Sequence, residues 1–213
     1  MSMSETYYDR QMAQFRKFMA WVKREGGVEL PTHLDTLMQP EQLARLTWLK
    51  EHCAGKVLEV GCNFGYVLAW VGGHTGLDIN ATNIELARLL SPDRQFIEGD
   101  AVSLPFPNES FDTVMLPDTL EHLDWPHGVH AAVSEAMRVA KGKVLITIPD
   151  GRTDSDPACS FKHIWLLTEE YARDLVDWIL VTEPRVKLDL TYMAGFAFIE
   201  ADLTGIQKTG ERR

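Results

Sequence analysis

Three acidic side chains lie in or directly after three successive apolar runs of the sequence. Glu59 lies inside the first run, two residues before Gly61, and Asp78 and Asp100 end the second and third runs. A single Asp at such a place usually forms a turn or caps a helix. Three acids beside one glycine turn are a less ordinary pattern, and an acidic rim disfavours a pyrophosphate and favours a ligand that carries positive charge.

The turn Gly61–Gly65 matches neither of the two common phosphate-binding motifs. A P-loop ends in Gly-Lys-Ser/Thr, which this turn lacks. The dinucleotide fingerprint G-x-G-x-x-G requires glycine where this chain has Asn63 and Tyr66. A nicotinamide oxidoreductase is therefore disfavoured. Taken alone, the turn is equally consistent with a strand-to-helix connection that binds nothing.

A second group of polar residues follows the fourth apolar run. If Asp118 starts a helical turn, then Asp118, Glu121 and His122 stand at positions i, i+3 and i+4 on one face. An imidazole titrates near neutral pH, so His122 could act as a general base or donate a hydrogen bond to a substrate. A purely structural role for the Glu-His pair stays open.

These residues are positioned by an alternation of β-rich runs and helical patterns. Alternating β and α units predict a doubly wound, mostly parallel α/β sheet, in which ligands bind beyond the carboxyl ends of the strands. Two closing runs are separated only by Ala194 and Gly195, which predicts an antiparallel hairpin. The predicted strands are KVLEVG (56–61), TGLDI (75–79), RQFIEGD (94–100), SFDTVMLPD (110–118), GKVLITIPD (142–150), RVKLDLTYM (185–193) and FAFIEADL (196–203).

The fold prediction is therefore a Rossmann-like, seven-stranded, mostly parallel sheet with a C-terminal antiparallel strand and N-terminal capping helices. We expect one domain over residues 1–213, with an N-terminal helical lid at 1–39 and an α/β core at 40–205. Chain length supports a single core that needs no metal or disulfide staple.

Composition narrows the class of partner. A formal net charge of -10 argues against nucleic acid, and the sequence shows no membrane-length apolar run and no secretory signal. Three cysteines without a CxxC pair suit a reducing compartment. We therefore expect a cytoplasmic protein, monomeric or homodimeric, that has neither nucleic acid nor membrane as a partner.

Four segments resemble the class I S-adenosylmethionine-dependent methyltransferases, in particular the small type 11 branch. They are E-V-G-C-N-F-G (59–65), L-D-I (77–79), E-G-D-A (98–101) and F-D-T-V-M-L-P-D-T-L-E-H-L (111–123), within a similarity that spans roughly residues 40–200. The first motif of that family is usually E-x-G-x-G-x-G, so Asn63 departs from it at the middle glycine. Asn tolerates left-handed backbone angles better than most residues, so we expect the turn to survive.

The resemblance implies S-adenosyl-L-methionine as cofactor and S-adenosyl-L-homocysteine as product. It implies that Glu59 orients the amino group of the cofactor or the glycine turn, Asp78 binds the ribose hydroxyls, Ile79 packs on the adenine and Asp100 accepts a bond from the adenine amine. The implied cofactor-binding residues are Glu59, Gly61, Cys62, Asn63, Gly65, Asp78, Ile79, Asp100, Ala101 and Pro117.

For catalysis, the resemblance points to His122, His163 and Asp118. The segment with Phe161, His163 and Trp165 would contribute to the acceptor pocket, and Leu116–Asp118 would line the methyl-transfer face. The D-x-x-E-H spacing also resembles the metal site of small-RNA 2′-O-methyltransferases and ubiquinone-type O-methyltransferases. A metal is not favoured, because Asp replaces the Glu of the RNA family and no basic surface is evident. Its ligands would be Asp118, Glu121, His122 and His163.

The predicted function is methyl transfer to a small-molecule acceptor by in-line displacement, with an oxygen nucleophile favoured. Two alternatives remain. The chain could bind the cofactor as a catalytically silent partner or regulatory protein, or it could be a metal-assisted O-methyltransferase.

Overall fold

The computed structural model describes residues 40–149 and 168–206. The predicted N-terminal lid at 1–39, and the candidate residues Phe161, His163 and Trp165, lie outside the described residues.

Helices and strands alternate through the described part of the chain, as the sequence predicts. The helices are α1 Pro40–His52, α2 Tyr66–Val71, α3 Ala81–Leu90, α4 His127–Val139 and α5 Glu169–Thr182. The strands are β1 Val57–Val60, β2 Thr75–Asp78, β3 Gln95–Glu98, β4 Phe111–Pro117, β5 Ala140–Pro149, β6 Lys187–Met193 and β7 Phe196–Asp202.

The seven strands form one sheet in the order β3-β2-β1-β4-β5-β7-β6. Strands β1 to β5 pair in parallel, and β7 pairs antiparallel with both β5 and β6. Strand β6 therefore runs parallel to the first five strands, and β7 alone runs against them. The predicted fold class is confirmed. The strand order reverses between β1 and β4, and that switch point is where a doubly wound sheet binds its ligand.

The sheet has an apolar core on each face, which is why its central strands are nearly all apolar. In β5, Val144, Ile146 and Ile148 belong to one core, while Leu145 belongs to the other. Helices α4 and α5 contribute buried residues to the first core, and α1, α2 and α3 contribute to the second. This two-sided cover is typical of a parallel sheet. The carboxyl ends of the parallel strands lie at the same edge of that sheet.

Two local features complete this architecture, and the second confirms the predicted hairpin. The Asn80 side chain caps α3, because its Oδ1 accepts from the backbone N–H groups of Thr82 at 2.9 Å and Asn83 at 3.3 Å. The hairpin between β6 and β7 turns on Ala194 and Gly195, which have φ angles of 52° and 79°. A two-residue turn with both residues left-handed matches the twist of the strands that it joins.

Candidate functional site at the carboxyl edge of the sheet

The glycine turn between β1 and α2 is built on left-handed backbone. The φ angles are 74° at Gly61, 50° at Asn63 and 80° at Gly65. Asparagine at the middle position therefore adopts the conformation that the sequence led us to expect. The N–H groups of Gly61 and Cys62 both donate to the carbonyl of Leu77, at 2.8 and 2.9 Å, so the turn is attached to the end of β2.

Two of these glycines lie where no side chain has room. A Cβ atom on Gly61 would lie 2.5 Å from Oγ1 of Thr119, and one on Gly65 would lie 2.6 Å from the ring of Phe96. The turn therefore packs directly against the end of β4 on one side and against β3 on the other. These close contacts require glycine independently of any ligand.

Asp78, at the end of β2, holds the glycine turn through its carboxylate. Its Oδ2 accepts from the N–H of Asn63 at 2.7 Å, and its Oδ1 accepts from the N–H of Asn80 at 2.8 Å. Each carboxylate oxygen has two lone pairs, so the side chain, which is partly exposed, can also accept bonds from ligand hydroxyls. The sequence pointed to the ligand role but missed the attachment to the turn.

Glu59 lies inside the sheet and is 1% exposed. Burial raises the pKa of its carboxyl well above the ordinary value, while a hydrogen bond from the Leu68 backbone and the charge of Arg45 oppose that rise. Within the described part of the chain, its Oε2 has no hydrogen-bond partner. A buried acceptor of this kind is costly to leave empty, so it is a candidate to accept from a ligand.

The other predicted cofactor contacts surround this turn at the ends of β2 and β3. Ile79 is 71% exposed, which is unusual for a large apolar side chain beside a glycine turn. Asp100 is exposed, and its Oδ1 accepts from the N–H of Val102 at 3.1 Å. Ala101 is half-buried and packs against the core. An apolar surface flanked by two carboxylates suits a flat base attached to a sugar.

One sequence prediction about the end of β4 is wrong. Asp118 does not begin a helical turn, because it has a φ of 50° and the short 3₁₀ helix runs from Leu120 to His122. The N–H of Asp118 donates to the carbonyl of Thr147 at 2.9 Å, which extends the pairing with β5 instead. Asp118 therefore does not share a helical face with Glu121 and His122.

A buried arginine that sequence reasoning missed contacts this strained residue. Arg45 of α1 is 1% exposed, and its guanidinium Nη1 lies 2.9 Å from Oδ2 of Asp118. Burial by itself would lower the pKa of the guanidinium, but the charge of Asp118 and the Tyr66 hydroxyl raise it overall. A signal was present, since Arg45 stands between apolar residues on the helix face that also carries Leu49.

The remaining polar residues of this edge differ in exposure. Glu121 is buried and His122 is half-buried. In the described ranges, no group of three or more His, Cys, Asp and Glu side chains could hold a metal ion. The remaining ligand of the metal hypothesis, His163, lies outside the described residues. Burial raises the pKa of the Cys62 thiol, which disfavours a nucleophilic thiolate in the glycine turn.

Of the helices that the structure describes, none combines the length and apolar character needed to cross a bilayer.

Several known proteins are similar to this chain. Residues 58–148 match the family model described as a methyltransferase domain. The chain is 29% identical over 169 residues to sterol 24-C-methyltransferase ERG6B of Gibberella zeae, an alignment that covers 73% of this chain and 39% of the relative. It is 40% identical over 68 residues to a phthiotriol/phenolphthiotriol dimycocerosates methyltransferase of Mycobacterium leprae. That alignment covers 28% of this chain and 25% of the relative.

The alignments thus span less than half the length of these curated relatives. Among solved structures, a SAM dependent methyltransferase from Aquifex aeolicus shares the fold with a TM-score of 0.59 at 18% identity, covering 82% of this chain and 99% of that one.

Proposed function

We propose that the chain is a class I S-adenosylmethionine-dependent methyltransferase, because residues 58–148 match a methyltransferase domain, and that it transfers the methyl group of this cofactor to a hydroxyl oxygen of a small-molecule or lipid acceptor. We further propose that residues 1–213 act as one unit in the cytoplasm, as a monomer or homodimer, without nucleic acid or membrane as a partner. The catalytically silent and metal-assisted alternatives are outcomes of the experiments below.

The observation that carries the proposal is the carboxylate of Asp78 next to the left-handed glycine turn at the switch point. Together with Glu59, it gives the ends of β1 and β2 two acceptors beside the glycine turn. S-adenosylmethionine has a positively charged sulfonium and ammonium, a ribose and an adenine. Acidic acceptors and an apolar side chain such as Ile79 match these groups, whereas a phosphate would be repelled.

The residues present suit the chemical groups of the cofactor. The glycine turn would lie against the methionyl part, and Oε2 of Glu59, which has no hydrogen-bond partner among the described residues, would accept from its ammonium. Asp78 would accept from the ribose hydroxyls while it keeps its bond to Asn63. Asp100 would accept from the adenine amine. When bound, the cofactor supplies a methyl group activated by the positive sulfur.

Transfer requires the chain to align the acceptor and to remove one proton. For the in-line displacement that we propose, the chain's own residues would hold the acceptor oxygen opposite the sulfur of the bound cofactor. His122, half-buried in the 3₁₀ helix after β4, would take the hydroxyl proton. His163 and Asp118 are the other candidates, and Pro117 would border the methyl. Removal of water from this edge would protect the sulfonium from hydrolysis.

The acceptor class is supported by the relatives. One is named for a sterol and another for phthiotriol dimycocerosates, so low-molecular-weight and lipid acceptors are both represented. The net charge of -10 disfavours a polyanionic acceptor. The sterol enzyme is named for transfer to carbon, which makes a carbon nucleophile the competing acceptor atom.

The test begins with binding and continues with transfer. We expect calorimetry to show one site for S-adenosylmethionine and for S-adenosylhomocysteine, and the absence of both would refute the cofactor assignment. Labelled methyl donor would then be offered with sterols, hydroxylated lipids and small phenols. Binding of the cofactor without transfer to any acceptor would favour the silent partner, and transfer abolished by chelation and restored by Mg²⁺ would favour the metal-assisted enzyme.

The proton-transfer role has its own test. His122→Ala should lower turnover at least tenfold and leave cofactor affinity within about threefold, because general-base catalysis typically contributes a factor of about 10² to 10⁴. His127→Ala, an exposed histidine at the start of α4, is the matched control and should keep full turnover. Equal turnover in the two variants would show that His122 has a structural role and does not take the proton.

A further inference from the structure

The buried guanidinium of Arg45 is not used by the proposed reaction. It reaches from α1 to the carboxyl edge of the sheet, where its Nη1 forms an ion pair with Oδ2 of Asp118. Its Nε donates to Oε1 of Gln42 at 2.9 Å. It also lies 5.6 Å from the centre of the Phe196 ring. A charge this deeply buried is costly unless it is paired, so its place beside the switch point calls for a reason.

The residue that Arg45 holds is in an unfavourable backbone conformation. Asp118 has a φ of 50°, a region that only glycine adopts freely. Among the described residues, it is held there by the ion pair with Arg45, the bond from Thr147 Oγ1 to Oδ1 at 3.0 Å, and the bond from its own N–H to the Thr147 carbonyl. Strained residues of this kind persist only where the surroundings hold them in place.

The conformation of Asp118 is transmitted to the glycine turn by the next residue. Thr119 Oγ1 donates to the carbonyl of Val60, the last residue of β1, at 2.9 Å. The same hydroxyl would lie 2.5 Å from a Cβ on Gly61, so Thr119 and the glycine turn touch without a gap. A change in the backbone at Asp118 would therefore move Thr119 against the first residue of the turn.

We propose that Arg45 is a positioning residue of the cofactor site, which fixes the left-handed turn at Asp118 and through Thr119 sets the glycine turn for binding. The inference rests on the proposed function and adds a residue from α1 to it. Arg45 does not touch the cofactor in this scheme. It acts through Asp118, and both oxygens of that carboxylate already have protein partners, which favours a positional role for Asp118 over proton transfer.

The test is a suppression experiment that uses S-adenosylhomocysteine binding as the readout. Arg45→Met keeps the length of the side chain but removes the charge, so Asp118 loses its anchor and the affinity should fall about tenfold. Asp118→Gly alone leaves the buried guanidinium of Arg45 unpaired, so its affinity should also fall, although glycine itself adopts a positive φ without an anchor. The double variant Arg45→Met with Asp118→Gly should recover to within about threefold of wild type. Circular dichroism would establish that each variant is folded at the temperature of the titration.

The control is Arg173→Met, which removes an exposed arginine that pairs with Glu169 on α5 and should leave the affinity unchanged. Arg45→Lys keeps the charge without the planar fork and should weaken binding less than methionine does. If the methionine variant does not fold, the lysine variant takes its place in the same comparison. Wild-type affinity in the folded Arg45 variant, or no recovery on adding Asp118→Gly, would overturn the proposal. Failure of wild type itself to bind would count against the proposed function instead.

Discussion

The glycine turn after β1 and the turn after β4 lie side by side at the switch point, yet they are held in different ways. The hydrogen bonds that hold the glycine turn come from one neighbouring strand: its N–H groups donate to the Leu77 carbonyl and to Asp78, which is 15 residues from Asn63. The β4 turn is held by Arg45, by Thr147 at a distance of 29 residues from Asp118, and by a bond that links Thr119 to Val60, 59 residues away.

The two turns therefore contribute different groups to the site. The glycine turn offers backbone and needs only left-handed angles and one carboxylate, which a short motif can supply. The β4 turn presents side chains and depends on contacts from distant elements. The first arrangement depends on a short sequence motif, whereas the second depends on residues of α1 and β5 and is coupled to the first through Thr119.

The largest expected effect comes from breaking the contact between the two turns. Gly61→Ala should lower the free energy of unfolding by about 3 to 4 kcal/mol, which combines about 1 to 2 kcal/mol of left-handed strain with the cost of overpacking against Thr119. Denaturant unfolding would measure it. Gly72→Ala is the matched control, since Gly72 has a φ of 78° but nothing within 4 Å of an added Cβ. Equal losses in the two variants would show that the turns do not press on each other.

A smaller effect is expected from removing the carboxylate that holds the glycine turn. Asp78→Ala loses the acceptor for two backbone N–H groups as well as the proposed ribose contact. Hydrogen bonds to a charged group contribute about 1.5 to 3 kcal/mol each, so affinity for S-adenosylhomocysteine should fall about a hundredfold in calorimetry. Asp93→Asn, on a carboxylate that is 72% exposed, should bind normally. Unchanged affinity in Asp78→Ala would remove Asp78 from the site.

The buried acid between the turns should make stability depend on pH. Burial raises the pKa of Glu59, so the folded chain binds this proton more tightly than the unfolded chain does. The resulting stabilisation is complete below a pH of about 4.5 and is lost as the pH rises towards the raised pKa. The free energy of unfolding of wild type, relative to Glu59→Gln, should therefore fall between pH 5 and 8 by at most about 1.4 kcal/mol per pH unit. A difference that is flat with pH would mean that Glu59 is ionised in the folded protein.

The smallest expected effect is at the position where the family motif is interrupted. Asn63→Gly should change the free energy of unfolding by about 0.5 kcal/mol or less, because both residues accept the φ of 50°. Asn63→Ala should cost about 1 kcal/mol more than glycine. Thermal unfolding distinguishes the two, and S-adenosylhomocysteine affinity should stay within about twofold in the glycine variant. A large loss of affinity there would show that the asparagine side chain contacts the ligand.

The same division explains which features the sequence could predict. The alternation of apolar runs and helical patterns predicts the strands of the sheet, and the pair Ala194–Gly195 predicts the hairpin. Both predictions depend on residues that are close in the chain. The left-handed glycine turn could be predicted from the sequence for the same reason. The turn at Asp118 was not, since its backbone is set by Arg45 and Thr147, and no local pattern reports such contacts.

The position of β7 has a consequence for how the chain reaches this structure. Strand β7 lies between β5 and β6, although it comes last of the three in the sequence. Strand β6 can join the sheet only once β7 is in place, so the hairpin assembles as a unit before or while it docks. A chain interrupted before Phe196 would leave the apolar strand β5 with an unpaired edge, open to pairing with another copy. The β6–β7 hairpin therefore covers the edge of β5 that would otherwise be open to such pairing.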